Sequence, residues 1–179
     1  MVKKQQTTVL FLLAGFMFME ASADASWGPR MGTSGYAYEY FNAWPGQVTE
    51  IFGYSGRYID SLGAMSTTGG YRTPVGGPGG GPYDIACPAG TSAVGLYGQS
   101  GTVVDAVGLI CRKAEDPSLI YTGTTGGSGG GAYEYVCPDE LGFRGVLTGL
   151  LITYGSYERG SSLYYVVRSL TPYCSFVPK

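Results

Sequence analysis

From Trp27 onward the chain is a succession of short apolar runs broken by Gly, Pro and Ser, among them Tyr83 to Pro88, Val94 to Tyr97 and Val103 to Cys111. Runs of about four to eight residues rich in Val, Ile, Leu and Tyr, punctuated by glycine, are the signature of strands and hairpins. With side chains alternating across a strand, Val107, Leu109 and Cys111 share one face, and so do Leu62 and Ala64. That face is expected to look inward. Helical periodicity is absent beyond the first residues. There, Lys3 and Lys4 precede an apolar run from Val9 to Met19 and then Ala21-Ser22-Ala23, the order of a secretory signal peptide with a small-residue cleavage site. Residues 1–23 are expected to be removed and the mature chain to be secreted and extracellular. The run falls short of the roughly 20 residues that span a bilayer, so no membrane insertion is expected.

Sliding the chain along itself lays Gly53–Gly63 on Gly98–Gly108, including Gly56 on Gly101 and Asp60 on Asp105. A second register lays Gly80-Gly81-Pro82-Tyr83-Asp84-Ile85-Ala86-Cys87-Pro88 on Gly130-Gly131-Ala132-Tyr133-Glu134-Tyr135-Val136-Cys137-Pro138. Three units result, about 27–70, 71–115 and 120–175, each opening with a glycine-rich loop: Gly32 to Gly35, Gly76 to Gly81, Gly126 to Gly131. A fixed repeat of this kind dictates the architecture. Residues 24–179 are expected to form one all-β domain, three antiparallel sheets of about four strands with apolar faces turned to a pseudo-threefold axis. The third unit carries an extra hairpin-like stretch around Tyr154 to Gly160.

Composition narrows the chemistry. Only 13% of residues are charged, the formal net charge is −2, and there is no His. A field that weak does not steer phosphates, so nucleic acid is not an expected partner. Without His the commonest general base, the usual nucleophile triads and the commonest zinc ligand are all absent. Four Cys in an exported domain imply two disulfides. Of the three possible connectivities, Cys87 with Cys111 and Cys137 with Cys174 is preferred because each pair brackets one unit. Paired CxxC spacing is missing, and no metal or other cofactor is expected. Trp27 and Trp44 are read as packing residues, and Arg112-Lys113 with Glu115-Asp116 as a solvated linker.

The repeated chemistry lies in Gly56-x-x-x-Asp60 and Gly101-x-x-x-Asp105. A hairpin carboxylate beside uncovered main-chain amides accepts strong, charge-assisted hydrogen bonds from neighbouring hydroxyls, such as those of a sugar. A loop such as Gly79-Gly80-Gly81 lets a hydroxyl approach backbone N–H groups with no Cβ in the way. Tyr54 or Tyr58 would supply an apolar face for a sugar ring. The two Asp stand on different units, farther apart than the roughly 5–10 Å of a glycosidase pair, so an enzyme is not expected.

These motifs resemble the jacalin-related lectins, whose fold is the β-prism I. The resemblance runs from Trp27 to about Cys174, and it implies metal-independent binding of mannose- or glucose-type rings between a Gly-x-x-x-Asp hairpin and a glycine loop. Carried over residue by residue, one site joins Gly56, Arg57, Tyr58, Ile59 and Asp60 to Gly79, Gly80 and Gly81. A second joins Gly101, Thr102, Val103, Val104 and Asp105 to Gly129, Gly130 and Gly131. A third would join Gly160-Ser161-Ser162-Leu163 to the Gly32 loop, with Tyr164 at the acid position and hence weak or lost. The implied function is a secreted lectin with two sites per chain whose partners are glycans or glycoproteins, with homo-oligomers adding avidity. Plant members generally lack the Cys-Pro-x-Gly to Cys pattern. That pattern is similar to the vitelline-membrane outer-layer proteins of related β-prism architecture, which implies as the alternative a structural protein of an extracellular matrix, egg coat or mineralised layer.

Overall fold

The computed structural model describes Ala25–Lys179; the leader expected at residues 1–23 lies outside the described residues. Three antiparallel sheets make up the molecule, and the described residues contain no helix. In the first sheet by position, β1 (Ser26–Trp27), β2 (Met31–Gly32) and β3 (Ala37–Asn42) flank the long hairpin β13 (Phe143–Arg159) and β14 (Ser162–Pro178). This is sheet A. Sheet B is continuous in the chain: β4 (Val48–Ser55), β5 (Ile59–Ser66), β6 (Tyr71–Gly76) and β7 (Gly81–Ala86), in the order β6-β5-β4-β7. Sheet C repeats that order, with β8 (Thr91–Ser100) and β9 (Val104–Lys113) at its centre, β10 (Ile120–Tyr121) and β11 (Thr125–Gly126) on β9, and β12 (Gly131–Val136) on β8.

The expected inward face is confirmed. Leu62, Ala64, Val107, Leu109 and Cys111 are fully buried and belong to one cluster that also takes Met31, Leu150, Ile152 and Leu170 from sheet A and Leu96 from sheet C. Each sheet therefore contributes its alternate residues to a single core, and burying such a side chain is worth roughly 1.5–3 kcal/mol. Trp27 and Trp44, read as packing residues, stay half-exposed on the outside of sheet A. Trp27 does pack, against Tyr40 at 5.2 Å and Tyr173 at 4.7 Å between ring centres.

The sheets are cut differently from the sequence units. Sheet B spans residues 48–86, sheet C spans 91–136, and sheet A combines 26–42 with 143–178. The physical reason lies in strand order. Because β6 pairs with β5 while β7 pairs with β4, the glycine loop between β6 and β7 must cross the end of the hairpin that precedes it, and so it closes a sheet instead of opening one.

The disulfides are Cys87–Cys111 and Cys137–Cys174. The pairing is the one preferred from spacing, but its role is to join sheets: Cys87 follows β7 of sheet B and reaches β9 of sheet C, while Cys137 follows β12 of sheet C and reaches β14 of sheet A. No disulfide among the described residues ties sheet A to sheet B. Glu39 on β3 and Arg72 on β6 form an ion pair across that seam. Arg112, read as part of a solvated linker, is instead largely buried and pairs with Asp139 at 2.8 Å.

The two disulfides close loops with sequence separations of 24 and 37 residues, for which the chain-entropy model gives roughly 3–4 kcal/mol each. Replacing Cys87 and Cys111 by Ser is expected to lower the unfolding free energy by about that amount in urea titrations followed by near-ultraviolet circular dichroism. A loss below about 1 kcal/mol would show that the B–C seam stands on packing alone.

Candidate functional site

The turn between β4 and β5 is closed by Gly56 N donating to Tyr58 O at 2.9 Å, and the turn between β8 and β9 by Gly101 N donating to Val103 O at 3.0 Å. Each glycine loop is then pinned across its own hairpin. Gly77 N donates to Asp60 O and Gly127 N to Asp105 O, both at 2.8 Å. The loops lie so close that a Cβ on Gly79 would strike the Asp60 carboxylate, and one on Gly129 would strike that of Asp105. Gly80 and Gly130 sit at φ +69° and +70°, where a Cβ would run into the carbonyls of Ser55 and Ser100. Only glycine combines that backbone conformation with that approach.

The structure thus brings Gly56 and Asp60 together with Gly79, Gly80 and Gly81, and Gly101 and Asp105 together with Gly129, Gly130 and Gly131. It does not expose every residue between them. Gly56, Arg57, Gly101 and Thr102 face solvent, whereas Tyr58, Ile59, Val103 and Val104 are buried and can offer only main-chain groups. Tyr58, expected as a stacking face, packs edge-on against Tyr157 and Tyr164, both at 5.4 Å, and accepts a hydrogen bond from Arg159 Nη1 at 2.9 Å. Tyr54, 43% exposed, lies on the outer face of sheet B and not in the cradle.

The carboxylates are less open than hairpin tips would make them. Asp60 is 7% and Asp105 6% exposed, and among the described residues neither carboxylate accepts a hydrogen bond. Burial pushes both pKa values above the ordinary 3.8, opposed at Asp105 by the nearby Arg159 guanidinium. An Asp that served its turn would be bonded to turn amides. These two are held partly out of water with their acceptor capacity unspent.

The third hairpin departs from expectation. Thr33 N donates to Arg168 O at 3.0 Å, the bond that Gly77 makes to Asp60 and Gly127 to Asp105, so the residue at the acid position in sheet A is Arg168. Tyr164 is displaced from that position because β13 and β14 run past the ends of the other hairpins. Arg168 donates to Ser156 O at 2.7 Å and to Thr33 Oγ1 at 3.2 Å, which occupies the space with a cation and leaves no carboxylate. Aligning Gly32 with Gly76 and Gly126, each followed by a residue donating to the acid position, locates it. Counting forward from Gly160 does not.

The extended hairpin reaches across the end of the prism. Val166 packs with Tyr58 and Val103, and the Tyr165 carbonyl abuts Gly77. The contacts run in a ring: the sheet B loop meets the sheet A hairpin at Tyr165, the sheet C loop meets the sheet B hairpin at Arg57 through Gly127, and Thr33 of sheet A donates to Thr102 O of sheet C at 2.6 Å.

No family model matches the chain, and no curated protein sequence does. Solved structures do match. Malaysian banana lectin superposes with a TM-score of 0.59 at 18% identity, over 87% of this chain and all of the lectin. A mannose-binding jacalin-related lectin from Ananas comosus gives 0.60 at 17% identity, over 87% and 99%. A mannose-specific jacalin-related lectin from Morus nigra, solved with mannose, gives 0.59 at 16%, over 96% and 99%. The chain has the β-prism fold of the jacalin-related lectins.

Because burial raises the folded pKa of Asp60 and Asp105 above the unfolded value, their charge opposes folding at neutral pH, and that cost disappears as pH falls through the raised pKa towards the unfolded one. Asp60→Asn is expected to raise the melting temperature at pH 7 and to converge with the parent under acidic conditions, by calorimetry. A lower melting temperature at pH 7 would mean that the carboxylate has stabilising partners within the fold.

Proposed function

We propose that the chain is a secreted, metal-independent lectin that holds mannose- or glucose-type rings at two cradles, one built on Asp60 with Gly79–Gly81 and the other on Asp105 with Gly129–Gly131. One observation carries the reading: two nearly buried carboxylates with no hydrogen-bond donor of their own among the described residues, each roofed by a loop in which a Cβ would fill the remaining space. Both carboxylates still reach solvent, and a sugar presenting two adjacent hydroxyls replaces that water with charge-assisted bonds. Gly56, Arg57, Gly101 and Thr102 then line the open side of each cradle. The mannose-binding neighbours share the fold and support the choice of sugar. Arg168 supports the count of two, since it puts a donor where a third carboxylate would be needed.

A single open site of this kind binds a monosaccharide at about millimolar to high-micromolar affinity, so tight capture of a glycan relies on the two cradles acting together. Glycan-array binding by the mature protein is expected to survive a calcium chelator. It is expected to vanish in the Asp60→Asn, Asp105→Asn double variant, while each single variant keeps one site and loses avidity. Because only the ionised carboxylate is a pure acceptor, binding should fall as pH drops through the raised carboxylate pKa. Glycan binding retained by a folded double variant would overturn the site assignment. A blank array for the parent would shift the reading to a structural extracellular protein.

A further inference from the structure

The outer face of sheet B carries a groove that the two cradles do not use. Glu50, Phe52 and Tyr54 alternate along the outer side of β4, Pro82 and Asp84 do so on β7, and Tyr71 closes the far side from β6. The volume is about 480 Å³, within the range of small-molecule sites. Phe52 and Tyr71 stack at 5.2 Å with only 21° between their planes, an aromatic pair beside the half-exposed Tyr54. At one end Glu50 and Asp84 line the groove together from the paired strands β4 and β7, and burial, with Asp84 nearby, raises the Glu50 pKa. Among the described residues neither acid is in an ion pair.

Sheet C shows the same surface in a self-sufficient form. Tyr97 pairs with Glu134 as Phe52 pairs with Asp84. There, Tyr121 donates to Glu134 Oε1 at 2.8 Å, and Gly95 stands where sheet B has Glu50, so a lone acid is capped by a hydroxyl. Sheet B instead sets two acids together with neither a hydroxyl cap nor a cation among the described residues. Like charges on neighbouring strands are destabilising, and a positive group from outside relieves them while the aromatic rings attract it further.

We propose that this groove is a second ligand site, for a pyranose bearing a free ammonium group: the sugar ring packs against the aromatic pair of Phe52 and Tyr71 and the ammonium sits between Glu50 and Asp84. Charge complementarity selects the cation. The aromatic lining and a volume of about 480 Å³ select a ring over a lysine side chain, which needs neither. The site is independent of the Asp60 and Asp105 cradles.

The test is an NMR titration of the mature chain with fully deacetylated chitobiose at about pH 6, below the range where an amine loses its proton, with N,N′-diacetylchitobiose as the neutral control. Expected are resonance shifts at Phe52, Tyr54 and Tyr71 with the amine only. The Glu50→Gln, Asp84→Asn variant should bind at least about tenfold more weakly, and Tyr71→Ala, whose side chain is largely exposed, should also weaken binding without unfolding the sheet. The Asp60→Asn, Asp105→Asn variant should bind the amine as the parent does. No shifts at the groove, equal binding of the acetylated sugar there, or unchanged affinity in the acid-neutralised variant would each overturn the proposal. Failure of the cradle reading would appear separately, as a parent blind to mannose- and glucose-type glycans whose groove still responds to the amine.

Discussion

In sheets B and C the end of the central hairpin is crossed by a loop whose backbone touches it, and both cradles exist because of that crossing. A loop joining the two outer strands of a four-stranded sheet has to pass over the central pair. Here it passes at van der Waals contact, with Gly80 on Ser55 and Gly130 on Ser100, instead of arching into solvent. The contact fixes the loop through one backbone bond to the carbonyl of Asp60 or Asp105, and the same geometry brings bare main chain up to the acid's side chain. A Cβ added at Gly79 or Gly129 therefore fills the cradle, and one added at Gly80 or Gly130 breaks the crossing.

The cost of this arrangement is electrostatic. Two carboxylates are drawn out of water by loops that give them nothing to bond. A fold selected for stability alone would cap them, as Tyr121 caps Glu134 on sheet C, or exchange them for a residue whose end groups bond within the fold, as the two terminal nitrogens of Arg168 do in sheet A. Asp60 and Asp105 instead keep an unbonded carboxylate at the edge of solvent, while the buried atoms without a partner among the described residues are Arg72 Nε and Arg168 Nε. Acceptors left unspent in this way are where function is sought.

Much of the fold is legible in the sequence. Glycine-punctuated apolar runs locate the strands, the period of two assigns Leu62, Val107 and Leu109 to the core, and self-comparison finds the matched Asp and the loops that meet them. The sequence conceals the consequences of strand order and length. Units drawn at each glycine loop divide every sheet, because pairing of β7 with β4 is not visible in a linear repeat. Counting from the tip of the third hairpin puts its acid position at Tyr164, because the extension of β13 and β14 shifts every such count; the backbone bond from Thr33 identifies Arg168. Tyr58 and Val103, variable positions inside an exposed motif, belong to the core because the long hairpin folds over them.

That long hairpin connects the loss of one cradle to the shape of the others. By running past the end of sheet A it supplies Tyr157, Tyr164 and Val166 to a small cluster over Tyr58 and Val103, and it brings Arg159 to Tyr58 and within electrostatic reach of Asp105. The two remaining Gly-x-x-x-Asp turns are consequently pinned from the inside at their middle residues, and only their first two residues are left on the surface. A turn held this way has little freedom to adapt, so a ligand bound there would meet a nearly preformed site and lose less in ordering it. The third unit thus acts as a support for the other two turns: Arg168 occupies the acid position, and the extended strands carry the aromatic wedge that braces Tyr58 and Val103.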